Sequence, residues 1–228
     1  MHPELLGDHH VHSTYSDDAV STLAENIAAA AAAGLTTLRC VDHVRATTTW
    51  VPEFLADLAA QPAHGLTILS GVETKLLNAK GDLDLPPGLG SIGVLIADHQ
   101  FPGPDGPWSP RETLERQLAP ADVADLLITG YVNAMRRTEN AQLAHPFSIL
   151  PKVGLSEDDL TDEHLRVWAV TAAETGTWVE VNEKWGCPQP RALRAIRTAG
   201  ATLVASTDAH VASDVGRYDA VARLLAEL

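Results

Sequence analysis

Cysteines, aromatic residues and long apolar runs are scarce in this chain of 228 residues. The two cysteines, Cys40 and Cys187, form neither a disulfide framework nor a CxxC pair, and we expect both to be reduced. We expect Cys40 to pack within an apolar strand. No apolar run approaches the ~20 residues that span a bilayer. The N-terminal segment lacks the basic and then apolar order of a signal peptide. We therefore expect a cytoplasmic protein.

Basic residues are also few. The chain has 16 lysines and arginines but 30 acids, which gives a formal net charge of −14. A broad nucleic-acid-binding surface needs clustered basic side chains, so this balance argues against one. A solvated acidic surface accounts for most of the excess. Some of the acids remain available to hold divalent cations.

Short β-rich runs alternate with longer helical runs along the chain, without a low-complexity linker, and we expect one domain over residues 1–228. Two capping boxes, Thr22 with Glu25 and Ser109 with Glu112, mark helix starts. The predicted strands are 5–10, 36–41, 67–73, 91–97, 141–144, 177–182 and 202–206. The predicted helices are 22–33, 52–60, 109–136 with a break near Pro120, 162–176, 191–199 and 216–227.

Alternating strands and helices indicate an α/β fold with parallel strands and helical crossovers. Seven such units can close into a TIM-like barrel or lie open as a doubly wound sheet. No GxGxxG follows the first strand, so a dinucleotide-binding sheet has no support. In a barrel, the functional residues gather at the carboxyl ends of the strands.

Histidines and acids occupy those strand ends here. Six of the ten histidines follow five different strands, together with several carboxylates, and packing alone does not explain that placement. The groups at the strand ends are Asp8-His9-His10-Val11-His12, Asp42-His43, Glu73, Asp98-His99, His145-Pro146, Glu180-Val181-Asn182 and Asp208-Ala209-His210. Four other histidines, His2, His9, His64 and His164, are expected to have surface or structural roles.

The spacing of these residues predicts a metal centre. In extended chain, residues two apart point to the same side, so His10 and His12 can reach one ion, as can Asp208 and His210. Imidazole and carboxylate groups at one rim suit zinc, manganese or iron. Glu73 can bridge two cations, as carboxylates do in two-metal hydrolases. Asp8, two residues before His10, is a candidate to orient an imidazole.

These motifs resemble those of the polymerase and histidinol phosphatase (PHP) family. The opening D-x-H-x-H-S-x-x-S-D matches at residues 8–17, and the D-A-H of residues 208–210 matches the closing motif. Asp42-His43, the G-V-E ending in Glu73, His99 and His145-Pro146 follow in the family's order. The resemblance spans nearly the whole chain and implies a distorted barrel of seven β/α units that binds two or three divalent metal ions.

The resemblance also implies how the ligands divide among the ions. The family's usual S-D-G reads Ser16-Asp17-Asp18 here, so either acid can face the metal, and we favour Asp17. The implied sets are His10, His12, Glu73 and Asp208 for one ion, Glu73, His99 and His145 for a second, and Asp17, His43 and His210 for a third.

We expect a phosphate ester to be hydrolysed by a metal-activated hydroxide, without a side-chain nucleophile. The expected partner is a small phosphorylated substrate, with histidinol phosphate the first candidate by resemblance. Three cations near the strand ends, Arg45, Lys75 and Lys184, are candidates to bind its phosphate. Trp50, Trp108 and Trp185 lie in predicted rim loops. The segment 101–108 is expected to form a lid or merely a surface loop, and the loop 182–190 is a candidate for substrate selection.

Three other functions stay open. Some relatives proofread DNA, so a phosphodiesterase or exonuclease on nucleotides is one, although the acidic balance weighs against a polymer substrate. Hydrolysis of an amide or lactone is another, because similar barrels with similar ligands carry it out. The third is a non-catalytic, metal-stabilised binding module. The sequence leaves the identity of the metal, the substrate and the oligomeric state open.

Overall fold

The alternation of strands and helices predicted above is present in the computed structural model, which describes residues 2–228. The strands are β1 (Gly7–Val11), β2 (Thr37–His43), β3 (Thr67–Lys75), β4 (Gly93–Ala97), β5 (Phe101–Pro102), β6 (Pro107–Trp108), β7 (Ala141–Ala144), β8 (Trp178–Asn182) and β9 (Leu203–Ser206). The α-helices are α1 (Leu23–Ala32), α2 (Val51–Ala60), α3 (Pro110–Glu115), α4 (Pro120–Arg137), α5 (Asp162–Thr175), α6 (Pro190–Ala199) and α7 (Ala220–Ala226).

Seven strands form one parallel sheet in the order β1-β2-β3-β4-β7-β8-β9. The two ends of the sheet meet, because Val11 pairs with Ala209 and the amide of His12 donates to the carbonyl of Ala209 at 2.8 Å. The predicted barrel of seven β/α units is therefore confirmed, and the open doubly wound sheet is excluded. All seven strands end at one rim, where the predicted ligands follow them.

The helix starts agree with their sequence signals. Thr22 and Glu25 make both hydrogen bonds of a capping box before α1, and Ser109 and Glu112 do so before α3. The predicted break is real, since a new helix begins at Pro120, where the missing N–H costs nothing. None of the helices within residues 2–228 combines the length and apolar character needed to cross a bilayer.

The barrel interior is partly polar. Arg39 of β2 is buried there, donates to Gln142 Oε1 at 2.7 Å and lies 4.7 Å from the centre of the Trp178 ring. Glycines on the next two strands make room for it, because a Cβ at Gly93 would lie 3.0 Å from Arg39 Nη1 and one at Gly71 would lie 3.2 Å from its Cδ. The large apolar core surrounds the barrel instead, between the strands and the helices.

The segment 101–108, predicted as a lid or a surface loop, is a short antiparallel hairpin of β5 and β6. Phe101 is fully buried and stacks on Trp108, and Arg116 lies 3.8 Å from the centre of the Trp108 ring. These contacts anchor the hairpin to the body of the protein.

Candidate metal centre

The strand ends bring five of the predicted histidine ligands around a single carboxylate. Glu73, on β3, is 2% exposed, and histidines from other strand ends surround it. Its Oε1 atom lies 3.1 Å from His99 Nε2 and 3.0 Å from His145 Nε2. Its Oε2 atom lies 2.8 Å from His43 Nε2 and 3.4 Å from the Nε2 atoms of both His10 and His12. The two oxygens of Glu73 thus face two different groups of histidines.

His10 and His12 converge beside Glu73, as their spacing predicts. Their Nε2 atoms lie 2.9 Å apart, and His12 Nε2 lies 3.4 Å from Asp208 Oδ1. One donor atom from each of His10, His12 and Asp208 falls within 4.8 Å of the others, a separation that one ion can span. All three side chains are buried.

A second group surrounds the Oε1 atom of Glu73. His99 and His145, the histidines of the predicted second ligand set, both contact this oxygen. Donor atoms of His43, Glu73 and His99 also lie within 4.8 Å of one another. The edge of the ligand cluster is open here, because His43 and His99 are about one quarter to one third exposed.

The third group contains His43, His210 and an acid from the loop after β1. Asp18 Oδ1 lies 3.4 Å from His43 Nδ1, and Asp18 Oδ2 lies 3.3 Å from His210 Nε2. Asp17, the acid we favoured, falls within reach of Asp18 and His43 but makes no ion pair with either histidine. The structure therefore places Asp18 between the two imidazoles, where the sequence motif left both acids open.

Two of the predicted ligands, His145 and Asp208, have strained backbone. The φ angle is +30° at His145 and +56° at Asp208, a left-handed region that side chains with a Cβ rarely adopt. Such positions cost about 1–3 kcal/mol each and cluster at functional sites. The amide of His145 donates to Glu180 Oε2 at 3.0 Å, which helps to hold the turn. Both residues lie just past the ends of their strands, and their side chains contact Glu73 and His12, respectively.

Three buried acids orient predicted ligands through hydrogen bonds, and the sequence showed these acids at strand ends without indicating this role. His10 Nδ1 donates to Glu180 at 2.9 Å, and His145 Nδ1 lies 3.3 Å from Asp98. Asp42 accepts from the Ser16 hydroxyl at 2.7 Å, and His12 Nδ1 donates to the same hydroxyl at 3.2 Å. The sequence signal that could have indicated this role is the position of the three acids at strand ends, next to or facing a predicted ligand.

Asp8, predicted to orient an imidazole, has another role. Its carboxylate accepts from the amide and hydroxyl of Thr207 at 3.0 and 2.6 Å and from the amide of Gly216 at 3.0 Å. It therefore joins β1 to the segment after β9, which carries Asp208. Burial raises the pKa of Asp8 to about 6, although these hydrogen bonds oppose the shift.

The donor set fits divalent cations. Glu73 Oε2 is buried without a hydrogen-bond partner, although imidazole nitrogens surround it. Hydrogen bonds at Nδ1 of His10 and His145 leave the Nε2 atoms of both rings free to act as ligands. Burial opposes ionisation of Glu73, yet the surrounding imidazoles hold its pKa well below the usual range. The carboxylates in turn raise the pKa of the buried His10. The pocket therefore stabilises positive charge.

The three predicted phosphate-binding cations lie on two sides of the ligand cluster. Arg45 and Lys75 line a cavity of about 220 Å³ together with His43, Glu73 and His99. Lys184 lines a separate cavity of about 320 Å³ with His210 and Arg217. Its Nζ atom lies 3.4 Å from Asp208 Oδ2, so part of its charge is already compensated. Arg217 is a further cation that the sequence reasoning did not consider.

Comparison with known proteins places this geometry in a family. Residues 8–184 match the family model of the PHP domain. The chain belongs to the PHP family. A probable phosphatase of Thermoanaerobacter sp. (strain X514) is 25% identical, and the match covers 97% of this chain and 86% of that protein. A probable phosphatase of Edwardsiella ictaluri (strain 93-146) is 29% identical, with 97% and 85% covered.

A solved structure shares the fold of this PHP protein. It is the histidinol phosphate phosphatase of Lactococcus lactis subsp. lactis, crystallised with zinc, L-histidinol and phosphate. The TM-score is 0.69 at 15% identity, and the match covers 97% of this chain and 91% of that one. The family match and the names of the relatives bear out the predicted class of a PHP phosphoesterase.

Proposed function

We propose that this PHP protein is a phosphomonoesterase that releases phosphate from a small phosphorylated metabolite, with histidinol phosphate as the first candidate. The observation that carries the proposal is the single carboxylate of Glu73 surrounded by five histidines at the open rim of the barrel. The names of the relatives and of the solved structure with a similar fold support the reaction class and this candidate.

The ligands divide most simply among three ions. His10, His12, Glu73 and Asp208 would hold the first, Glu73, His99 and His145 the second, and His43, His210 and Asp18 the third. Zinc, manganese and iron all suit these groups. When bound, the ions supply Lewis acidity for hydrolysis and neutralise charge on the phosphate oxygens.

The protein's own groups would position the substrate. Arg45 and Lys75 lie beside His43 and His99, at the more exposed edge of the cluster, so they can bind phosphate oxygens that approach from solvent. Burial and the neighbouring Arg45 lower the pKa of Lys75, a sign of positive charge concentrated at this edge. An anion would relieve that repulsion. Lys184, on the other side of the cluster, would contact the substrate near Asp208 and His210.

A phosphate-release screen tests the proposal. Protein loaded separately with zinc, manganese and iron would be assayed against a panel of phosphorylated metabolites that includes histidinol phosphate. We expect release with at least one metal, and its loss in His10→Ala and Asp208→Ala, with circular dichroism showing a retained fold. His2→Ala, at a histidine outside the centre, is the matched control. Metal binding without phosphate release across the panel would contradict the proposal.

A further inference from the structure

The base of the barrel, where the strands begin, contains a buried cation far from the rim that carries the metal ligands. Arg39 of β2 is 8% exposed, and no carboxylate among residues 2–228 forms an ion pair with it. Buried ions normally pair with an opposite charge, because the loss of their hydration is costly. The charge of Arg39 therefore needs a partner that the side chains around it do not supply.

One donor of the Arg39 guanidinium is left without a partner. Nη1 donates to Gln142 Oε1 at 2.7 Å, and the Trp178 ring covers one face, with its centre 4.7 Å from Cζ. The Nε atom is buried and has no hydrogen-bond partner. Its N–H belongs to the rigid fork of donors with which arginine binds anions in the plane of the guanidinium. The protein thus leaves a donor of that fork unpaired.

Glu180 compensates the charge of Arg39 only from a distance. Its Oε1 atom accepts from Gln142 Nε2 at 2.6 Å and lies 2.9 Å from His10 Nδ1, and its Oε2 atom accepts from the amide of His145 at 3.0 Å. Burial lowers the pKa of Arg39 to about 10, and Glu180 opposes that shift only in part. The guanidinium is therefore charged at neutral pH and incompletely compensated.

His9 of β1 supplies a second unpaired nitrogen beside this guanidinium. Its carbonyl accepts from Gln142 Nε2 at 2.9 Å, and its ring meets the Trp178 ring edge-on at 5.3 Å, so both neighbours of Arg39 also contact His9. His9 is 8% exposed, and its Nδ1 atom is buried without a partner. Burial and the charge of Arg39 lower the pKa of His9 to about 4. The neutral ring can donate one N–H group.

A cavity of about 370 Å³ connects this region to solvent. His9 lines it together with the 3-10 helix Pro3–Leu6 and the first residues of β1, β2 and β9. The imidazole fits there because residue 7 is glycine, since a Cβ at Gly7 would lie 2.5 Å from His9 Nε2. Glu4 also lines the cavity, but Arg197 Nη2 lies 3.3 Å from its Oε1 atom and compensates part of its charge. The cavity shares no lining residue with those at the metal centre.

From these contacts we infer that the base of the barrel binds a small inorganic anion, a halide or a sulfate-like oxyanion, against Nε of Arg39 and Nδ1 of His9. Trp178 covers one face of the guanidinium, so the anion approaches in its plane. The low exposure of both side chains restricts the site to an ion of a few atoms. The anion completes the charge balance of the barrel interior and stabilises the fold, and it takes no part in phosphate release.

Thermal unfolding at constant ionic strength tests the inference. Metal-loaded protein is compared in chloride, in sulfate and in gluconate, a larger organic anion. For a dissociation constant of about 10 mM, we expect chloride or sulfate at about 100 mM to raise Tm by about 3–6 °C relative to gluconate. Arg39→Met, which keeps an unbranched side chain without the donors, should lose this difference. Arg194→Met removes an exposed arginine of α6 and is the matched control, which should keep it.

The inference is overturned if the wild type has the same Tm in all three salts. The same conclusion follows if Arg39→Met keeps the full difference between salts, because general salt effects act equally on the wild type and the variant. The small anion that raises Tm of the wild type but not of Arg39→Met identifies the preferred ion.

A diffraction experiment on the wild type keeps the test decisive even if Arg39→Met does not fold. Crystals of the metal-loaded protein are soaked in bromide, in place of chloride, and in selenate, in place of sulfate. An anomalous difference peak in contact with Arg39 Nε is expected with at least one of them. Density for water at this position without an anomalous peak in either soak overturns the inference.

Discussion

Glu180 Oε1 lies 2.9 Å from Nδ1 of His10, and both side chains are fully buried in the barrel interior. The same carboxylate accepts from Gln142 Nε2 at 2.6 Å, and Gln142 in turn accepts from Arg39. A polar chain therefore runs from a buried guanidinium to the imidazole. It fixes the ring so that its Nε2 atom faces Glu73 at 3.4 Å.

The substitution Glu180→Gln should weaken metal binding while the fold is retained. An amide cannot offer the same negative charge to the Nδ1–H group, and losses of 10–100-fold in metal affinity are typical for such orienting groups. Titration of metal-depleted protein with zinc, followed by calorimetry, measures the effect. Glu163→Gln, which removes an exposed carboxylate on α5, is the matched control. An unchanged zinc affinity in Glu180→Gln would show that the contact only supports packing.

Counting the bound metal ions in two variants can identify which acid of the loop after β1, Asp17 or Asp18, is a metal ligand. Asp18 contacts both His43 and His210, whereas Asp17 contacts neither at ion-pair distance. Asp18→Asn should therefore reduce the number of bound ions by one per chain or weaken the third site at least about tenfold. Asp17→Asn, its matched control, should bind the full complement. Elemental analysis after dialysis against a defined free-metal concentration gives the count. The reverse pattern would restore Asp17 as the ligand.

The sequence predicted the seven strands and the convergence of the ligands well, because both follow from local patterns. Alternation of strand and helix predicts parallel strands joined by helical crossovers, and residues two apart, such as His10 and His12, share a side. The contact between Glu180 and His10 joins residues 170 positions apart, so no local pattern reveals it. Likewise, the choice between Asp17 and Asp18 depends on the course of an irregular loop, and consecutive acids in a motif look alike.

The proximity of Trp185, Lys152 and Glu157 could not be predicted from the sequence, for a different reason. Trp185 stood out as an aromatic residue in a rim loop, but its bond to Asp208 depends on how the loop 182–190 folds back. Lys152 and Glu157 lie before α5, far from any strand end in the sequence, and carry no motif. Only the folded chain brings these three residues together, as lining of one cavity of about 400 Å³.

Glu157 should make stability depend on pH in a predictable direction. Its pKa is raised from 4.5 to about 7 in the folded protein, mainly by burial. Between these values the folded state holds a proton that the unfolded state releases, so stability falls as pH rises through this window. Glu157→Gln removes the effect. The variant should gain about 1–2 kcal/mol relative to the wild type between pH 5 and pH 8.5, the full shift being reduced by partial solvent screening.

Chemical denaturation of both proteins at the two pH values measures this difference. Groups other than Glu157 titrate equally in the wild type and the variant, so they cancel in the comparison. A constant difference in unfolding free energy between pH 5 and pH 8.5 would contradict the raised pKa.

Substitutions at two glycines can separate the stability cost of backbone strain from the cost of steric contact. Gly81 and Gly88 both adopt left-handed backbone, with φ angles of +83° and +79°. A Cβ at Gly88 would meet nothing within 4 Å, whereas one at Gly81 would lie 2.4 Å from the backbone nitrogen of Ala134 on α4. Gly88→Ala should therefore cost only the conformational term, about 1 kcal/mol. Gly81→Ala should cost about 3 kcal/mol or more, because the turn or α4 must move.

The larger loss is expected because the turn at Gly81 is tied to α4. Asn133 donates to the carbonyl of Ala79, and Arg137 donates to the carbonyl of Lys80, both at 2.8 Å, so neither partner can shift without breaking these bonds. Unfolding free energies from urea titration of the wild type and both variants measure the two costs. Equal losses in the two variants would mean that the turn relaxes freely, and that the contact with α4 contributes little to stability.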